Sequence, residues 1–235
     1  NQDTVTELTA AAFNTKAPRW TDFFPLSTIN LASAKRGEKV FNNTCKKCHG
    51  QYIKGWSLPN ADKLSKLEKI ETTQVLYHEK TPVKNVGTDP ARWMGTSSFA
   101  GALNDLAISK MMKTVVVPQE GYVPPPLVGI WSRYPYMHNN SIPSLCQVFT
   151  PSKKRVKTFY QIPAQSKVED FDRDCVGFPI GKNIPEHRKK EEAFYDTSKE
   201  GLGNTGHYRM WLNKDGSEKY LPKDKKDLIM FLKTL

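Results

Sequence analysis

The chain has 235 residues, of which 38% are apolar and 25% are charged. This composition supports a folded core and excludes a disordered tail. The longest uncharged apolar runs, such as residues 115–117, fall far short of the roughly 20 residues that a bilayer-spanning helix needs. The net charge of +11 favours nucleic acid, an anionic surface or an acidic protein partner, and charge alone does not choose among them.

Sixteen prolines and fourteen glycines are spread along the whole chain. This distribution favours a loop-rich fold with short elements and disfavours a doubly wound sheet. Residues 1–32 are polar with scattered aromatic side chains and are expected to form an extended strap over the surface. Residues 33–235 are expected to form a single domain. The apolar spacing from Ala34 to Phe41 predicts that this domain begins with a helix, with Ser33 as its N-cap.

That helix leads into Cys45-Lys-Lys-Cys-His49, the attachment signature of c-type haem, in which both thiols form thioethers and the histidine ligates the iron. One helical turn places Cys45 and Cys48 on one face, and His49 follows at i+4 from Cys45. A zinc site would need a second nearby pair of ligands, and a thioredoxin-type motif would need a βαβ context. The sequence offers neither, so the motif predicts one covalently attached haem.

Covalent haem attachment takes place on the outer side of the energy-coupling membrane, so we expect a periplasmic or extracellular location of the bacterial type. Disulfides persist in that setting. Cys146 and Cys175 are therefore expected to pair and to close a loop of about 30 residues. Two buried free thiols are the alternative, because cysteine is also an ordinary core residue.

Further helices are predicted downstream of the motif. Leu64, Leu67 and Ile70 lie at three-residue intervals, which predicts a short amphipathic helix. The pair Asp89-Pro90 is typical of a helix start. Apolar residues across 97–112 predict a buried helix, the longest in the chain, and a stripe across 222–235 predicts a C-terminal helix that packs on the haem helix.

The expected fold is therefore mainly α, with a cytochrome c-like core built around residues 33–50, 97–112 and 222–235 and decorated by long loop insertions. Two basic clusters lie outside these helices, at residues 153–157 and 187–190. They are interpreted either as a docking patch for a partner or as a solvated face.

Four segments occur in an order that resembles a known family. They are Val86-Gly-Thr-Asp-Pro-Ala-Arg92, residues 121–145 with their Pro-Tyr-Met-His stretch, Gly203-Asn-Thr-Gly-His207 and Phe231-Leu-Lys-Thr-Leu235. Over about residues 35–235 the chain resembles the C-terminal haem half of the di-haem cytochrome c peroxidase-like proteins, which include the latex-cleaving rubber oxygenases. The single haem motif departs from that family, whose members carry a second haem in an additional half.

The resemblance implies that His49 is the proximal ligand of the iron and that His207 is the second axial ligand. The peroxidase members instead place a methionine shortly after the Pro-Tyr-x-His stretch, and residues 146–157 contain none. The residues alone leave the sixth ligand open. The open candidates are His78, His138, His187, His207 and the six methionines.

Three residues near the Pro-Tyr-Met-His stretch, Trp131, Arg133 and Tyr136, are candidates to line the haem edge. Aromatic rings cover a porphyrin, and an arginine can pair bidentately with a propionate. Arg92 has the same interpretation. Ordinary core packing is the alternative for all four.

The function expected first is one-electron transfer by a mono-haem c-type cytochrome with two histidine ligands, with an acidic redox partner attracted by the positive charge. The alternative is a haem peroxidase- or oxygenase-like enzyme with an open or labile distal site, in which His138 and Arg133 would assist. A third possibility is a subunit of a larger redox complex or a sensor. Nucleic-acid binding is disfavoured because the basic residues are dispersed.

Overall fold

The structure is a computed structural model that describes residues 2–80 and 82–235. Short helices connected by long irregular segments make up most of it. The helices are α1 (Gln2–Asn14), α2 (Trp20–Phe23), α3 (Leu31–Thr44), α4 (Lys46–His49), α5 (Lys66–Glu71), α6 (Ala91–Asp105), α7 (Ala107–Met112), α8 (Leu145–Val148) and α9 (Pro222–Leu232). The strands are β1 (Gln51–Lys54), β2 (Thr73–Leu76), β3 (Thr158–Tyr160) and β4 (Phe194–Asp196).

The strands form two separate antiparallel pairs, β1 with β2 and β3 with β4. Single turns of 3₁₀ helix punctuate the loops, as the many prolines and glycines predict. The fold is therefore mixed, with a helical core, and the expectation of a mainly α chain is confirmed only for that core. No helix in the described part of the chain is both long enough and apolar enough to cross a membrane.

The core of the molecule is the packing of α3 against α9. Phe41 of α3 and Leu228 and Phe231 of α9 are fully buried there. Gly37 permits the close approach, because a Cβ at that position would lie only 1.9 Å from the Asp227 carbonyl oxygen. The prediction that the C-terminal helix packs on the haem helix is confirmed.

A polar joint closes the same interface. The Arg36 guanidinium donates to the Asp227 carboxylate, with Nε and Oδ2 2.7 Å apart, and the Ser33 hydroxyl donates to that carboxylate as well. Ser33 is therefore not the N-cap that the sequence predicts. Asn30 caps α3, since its side chain accepts a hydrogen bond from the Ser33 backbone N–H.

The N-terminal segment differs from the predicted extended strap. Residues Gln2–Asn14 form an exposed helix, and the following residues carry Trp20 and Phe24 into the core, where they are 2% and 6% exposed. Trp20 meets the Trp131 ring edge-on at 5.3 Å. Residues 20–29 are thus part of the folded core, because the aromatic side chains pack more favourably inside than along the surface.

The predicted buried helix over residues 97–112 is wrong in two respects. It is two helices, α6 and α7, broken at Leu106, and it is exposed. Phe99, Leu106 and Met111 are 47%, 48% and 43% exposed, and only Ala100 of α6 is buried. Residues 91–117, the apolar arm, therefore project from the core. The apolar composition of this segment correctly predicted helix, but it could not show whether another element packs against that helix and buries it.

Candidate functional site

The Cys-x-x-Cys-His motif forms one helical turn at the end of α3. The Cys45 N–H donates to the Phe41 carbonyl oxygen at 2.7 Å, and the His49 N–H donates to the Cys45 carbonyl oxygen at 2.9 Å. Gly50 ends the turn with φ at 79°, where a Cβ would meet the Leu76 carbonyl oxygen at 2.8 Å. The turn therefore presents both sulfurs and the imidazole together, as the spacing predicts.

Cys45 and Cys48 do not form a disulfide with each other. Burial raises the pKa of Cys45 to about 12, and the neighbouring Cys48 thiol adds to the effect. A thiol with so high a pKa is a poor thiolate nucleophile at neutral pH. Cys45 is therefore unlike the low-pKa reactive cysteine of a disulfide oxidoreductase.

His49 is held in one tautomer. Its Nδ1–H donates to the Pro125 carbonyl oxygen at 2.9 Å, which leaves Nε2 free as a ligand atom. Tyr52 supports the same site, since its hydroxyl donates to the His49 carbonyl at 3.0 Å and accepts from the Leu127 N–H at 2.6 Å. Burial is the main cause that lowers the pKa of His49, so the imidazole is neutral and able to coordinate.

His207 lies across from His49 on the loop between β4 and α9. Its backbone takes the left-handed conformation with φ at 51°, and its N–H donates to the Val86 carbonyl oxygen at 2.9 Å. Gly206 before it is tightly packed, because a Cβ there would lie 2.2 Å from the Gly87 carbonyl carbon. The 86–87 segment thus fixes where the His207 loop turns.

The centres of the two imidazole rings lie 6.2 Å apart, and the ring planes are inclined at 62° to each other. A metal held between two histidine nitrogens at about 2 Å each places the ring centres about 6 Å apart. Burial lowers the pKa of His207 to about 4, and electrostatic interactions with His49 and Arg155 lower it further. No group of three or more His, Cys, Asp or Glu within residues 2–80 and 82–235 is arranged to hold a metal ion.

A cavity of about 690 Å³ surrounds the histidine pair, a size typical of sites for cofactors and other small molecules. Apolar side chains dominate its wall, among them Leu127, Leu145, Val148, Phe149 and Leu232. Cys45, Cys48, His49 and His207 all line it. The structure therefore brings the four residues predicted as attachment points and axial ligands into one cavity.

The other predicted site residues divide between the cavity and the core. Arg133, Tyr136 and Arg92 line the cavity, and the Arg133 guanidinium donates to the Pro126 carbonyl oxygen at 2.6 Å. Trp131 does not line it, so that prediction is corrected. Its indole N–H donates to the Pro18 carbonyl oxygen at 2.9 Å, because the ring belongs to the aromatic cluster of the N-terminal segment.

Two of the remaining histidines have hydrogen-bond partners, and the third lies in the cavity. His78 hydrogen-bonds the Cys48 carbonyl oxygen at 3.1 Å, and His187 pairs with the buried Asp170 at 2.7 Å. His138 lines the cavity, stacked on Tyr122 with ring centres 3.8 Å apart. Within the described residues its Nε2 is buried and has no hydrogen-bond partner.

Some of the methionines line the cavity and others do not. Met137 and Met210 line the cavity. Met94, on the apolar arm, is 57% exposed and does not.

Trp211 is a cavity residue that the sequence analysis missed. The ring is 1% exposed and lines the cavity, and its Nε1–H finds no acceptor in the part of the chain that the structure describes. A buried indole N–H normally finds a partner. Its nearness to His207 in the sequence was the available signal, but tryptophan is more often a core residue.

The predicted disulfide between Cys146 and Cys175 is present, with Cα atoms 5.0 Å apart. The two basic clusters are only partly surface features. Arg155 and Arg188 are 5% and 1% exposed, so neither can belong to a docking patch or to a solvated face. Their neighbours Lys153, Lys154 and Lys157 do lie on the surface.

The family profile described as "RoxA-like, cytochrome c-like" matches residues 121–160. These residues form a cytochrome c-like region. They include Pro125, the acceptor for His49, and the cavity residues Arg133, Tyr136 and His138. The resemblance read from residues 121–145 is thus supported at the level of a cytochrome c-like region.

Two curated relatives from Sinorhizobium fredii (strain NBRC 101917 / NGR234) are similar to most of the chain. The uncharacterized protein y4iJ is 26% identical over 94% of this chain and 41% of its own length. The uncharacterized protein y4iM is 27% identical over 88% of this chain and 49% of its own length. The chain therefore spans less than half the length of these relatives.

Proposed function

We propose that this chain is a mono-haem c-type cytochrome that transfers one electron, with Cys45 and Cys48 attached to the haem and His49 and His207 as axial ligands. The observation that carries the proposal is the close approach of two imidazoles, with ring centres 6.2 Å apart, within one cavity that Cys45 and Cys48 also line. Bound haem would supply an iron that cycles between the ferric and ferrous states.

The residues of the cavity fit such a group. The Pro125 carbonyl fixes the His49 tautomer, and mostly apolar side chains surround the two imidazoles. The unpartnered Trp211 Nε1–H and the Arg133 guanidinium, both in the cavity wall, are suited to the carboxylates at a haem edge. Two protein ligands leave no position for substrate, and electron transfer requires no bond-making residue.

The test of this proposal is a pair of alanine variants of the haem-loaded protein, made where covalent attachment can occur. His207→Ala is expected to convert low-spin ferric iron to high-spin iron with the haem still attached. His138→Ala is the matched control, because His138 lies in the same cavity and is expected to leave the low-spin spectrum unchanged. Optical and electron paramagnetic resonance spectra report both.

A low-spin spectrum that survives in His207→Ala would contradict the ligand assignment, and its loss in His138→Ala would move the assignment to that residue. Absence of covalent haem in the wild-type chain, by pyridine haemochrome assay, would contradict the proposal as a whole. A thioether charge-transfer band would indicate a methionine ligand instead.

A peroxidase- or oxygenase-like activity is the second candidate, and one observation favours it. His138 places a buried, unpartnered Nε2 in the cavity wall, where it could hold a proton near a reacting ligand. This function requires His207 to leave the iron. Binding of carbon monoxide or reaction with peroxide by the wild-type protein would support it, and inertness to both would exclude it.

The partner and location follow as part of the same proposal. The net charge of +11 favours an acidic redox protein, and the limited share of the relatives that the chain covers is compatible with a part in a larger redox complex. Covalent haem attachment and the Cys146–Cys175 disulfide support a periplasmic or extracellular location.

A further inference from the structure

Arg155 is a buried guanidinium behind the His207 loop. Its Nε donates to the carbonyl oxygens of Gln147 and Thr150, each at 3.0 Å, and its Nη2 donates to that of Val148 at 3.3 Å. Its Nη1 donates to the Asn204 carbonyl oxygen at 2.5 Å. The side chain therefore joins the end of α8 to the segment that leads to His207.

No carboxylate forms an ion pair with Arg155 in the described residues, 2–80 and 82–235. The other strongly buried arginine, Arg188, does have a carboxylate, since Asp170 lies 3.5 Å from its Nη1. A buried charge without a counter-ion costs several kcal/mol unless hydrogen bonds offset the cost. Backbone carbonyls satisfy the donors of Arg155 and leave its positive charge unneutralised.

The contact with Asn204 acts three residues before His207. Asn204 is held from its other side too, because its Nδ2 donates to the Val156 carbonyl oxygen at 2.8 Å. The position of the Asn204 backbone therefore depends on residues 155 and 156.

We propose that Arg155 is a positioning residue that holds His207 toward His49, and that its unneutralised charge raises the reduction potential of the bound haem. This inference rests on the proposed function. Reduction adds one electron to the iron from a redox partner and removes one positive charge from the site. A fixed cation nearby therefore favours the reduced form.

The test is redox titration of the haem-loaded protein, followed optically. Arg155→Gln is expected to lower the reduction potential, with a change of about tenfold in the reduction equilibrium, which is about 59 mV for one electron. Arg155→Lys keeps the charge and is expected to stay closer to the wild-type potential. Lys157→Gln removes an exposed charge two residues away and is the matched control.

The positioning role has its own measurement. Arg155→Lys cannot reproduce the fork of donors to four carbonyls, so its ferric electron paramagnetic resonance g values are expected to shift and its ferrous iron to bind carbon monoxide more readily than wild type. Unchanged g values and no gain in carbon monoxide binding would overturn the positioning role.

A potential of Arg155→Gln equal to that of Lys157→Gln would overturn the electrostatic role. If Arg155→Gln fails to fold with haem, Arg155→Lys is measured instead. This variant keeps the positive charge, so a drop of about 59 mV in its reduction potential, which is tenfold in the reduction equilibrium, would also overturn the electrostatic role. A failure of the proposed function is seen in a different sample, because the wild-type protein itself would then lack low-spin iron with two histidine ligands.

Discussion

His207 combines two features that bear on its strength as a ligand. Its backbone lies in the left-handed region, with φ at 51°, which costs a non-glycine residue of the order of 1 kcal/mol. Within the described residues its Nδ1 has no acceptor, whereas Nδ1 of His49 donates to Pro125. Since an acceptor at Nδ1 raises the basicity of a ligating imidazole, His207 would be the weaker of the two proposed ligands.

Trp211 gives a residue-scale prediction with a definite sign. Trp211→Phe removes the indole N–H, which has no acceptor among the described residues. If the bound haem supplies the acceptor, the variant loses a hydrogen bond and the free energy of unfolding of the haem-loaded protein falls by about 1 kcal/mol or more. Chemical denaturation measures it.

The comparison for Trp211→Phe is Trp131→Phe, which removes an N–H that already has a protein acceptor in Pro18. Both variants are expected to lose stability, but only Trp211→Phe is expected to change the optical spectrum or the reduction potential of the haem. A gain in stability for Trp211→Phe would show that its N–H is unpartnered in the loaded protein as well.

At the scale of elements, the contact between α3 and α9 positions the site. The end of α3 carries the Cys-x-x-Cys-His turn, and α9 follows the loop that carries His207. Buried residues of both helices form one hydrophobic cluster with Tyr52, which hydrogen-bonds His49. The packing of these helices therefore determines where the Cys-x-x-Cys-His turn lies.

Gly37 is the place to test this dependence. Gly37→Ala is expected to reduce the free energy of unfolding by about 1–3 kcal/mol, because the added methyl would overlap the Asp227 carbonyl and force the helices apart. Gly101→Ala is the control, since nothing lies within 4 Å of a Cβ there.

Gly101→Ala only reduces the backbone entropy of the unfolded chain, so it is expected to stabilise the protein by about 0.5–1 kcal/mol. Thermal unfolding of the two variants measures both effects. Equal stabilities would show that α3 and α9 tolerate a wider separation than the structure has.

At the scale of the whole molecule, net charge and apolar exposure are the two features that bear on a partner. The chain has 35 basic and 24 acidic residues, and exposed apolar side chains are concentrated on the apolar arm of residues 91–117. Arg92, Trp93 and Thr96 of that arm line the cavity.

This charge predicts a salt dependence. The rate of reduction of the haem by an acidic redox protein is expected to fall steeply as ionic strength rises, because opposite charges steer the encounter only at low screening. Stopped-flow mixing at several salt concentrations measures it, with a neutral small-molecule reductant as the control. A rate that does not respond to salt would remove the acidic partner from the proposal.

Local features of the sequence were enough to predict the Cys-x-x-Cys-His turn, the helices α3 and α9 and the pairing of Cys146 with Cys175. The helices and the turn depend on residues that are neighbours in the chain. The disulfide could be predicted because only two cysteines lie outside the Cys-x-x-Cys-His motif. His207 could be named only through resemblance, because no local pattern relates it to His49, and the structure places the two rings 6.2 Å apart.

Tertiary structure alone decided which side chains are buried. Trp131 packs in the N-terminal aromatic cluster, Trp211 lines the cavity and Arg155 is buried in the interior. The sequence around each of these residues does not predict these different environments. The apolar arm became exposed for the same reason. Burial depends on contacts between segments distant in the chain, and the pattern of one segment does not contain them.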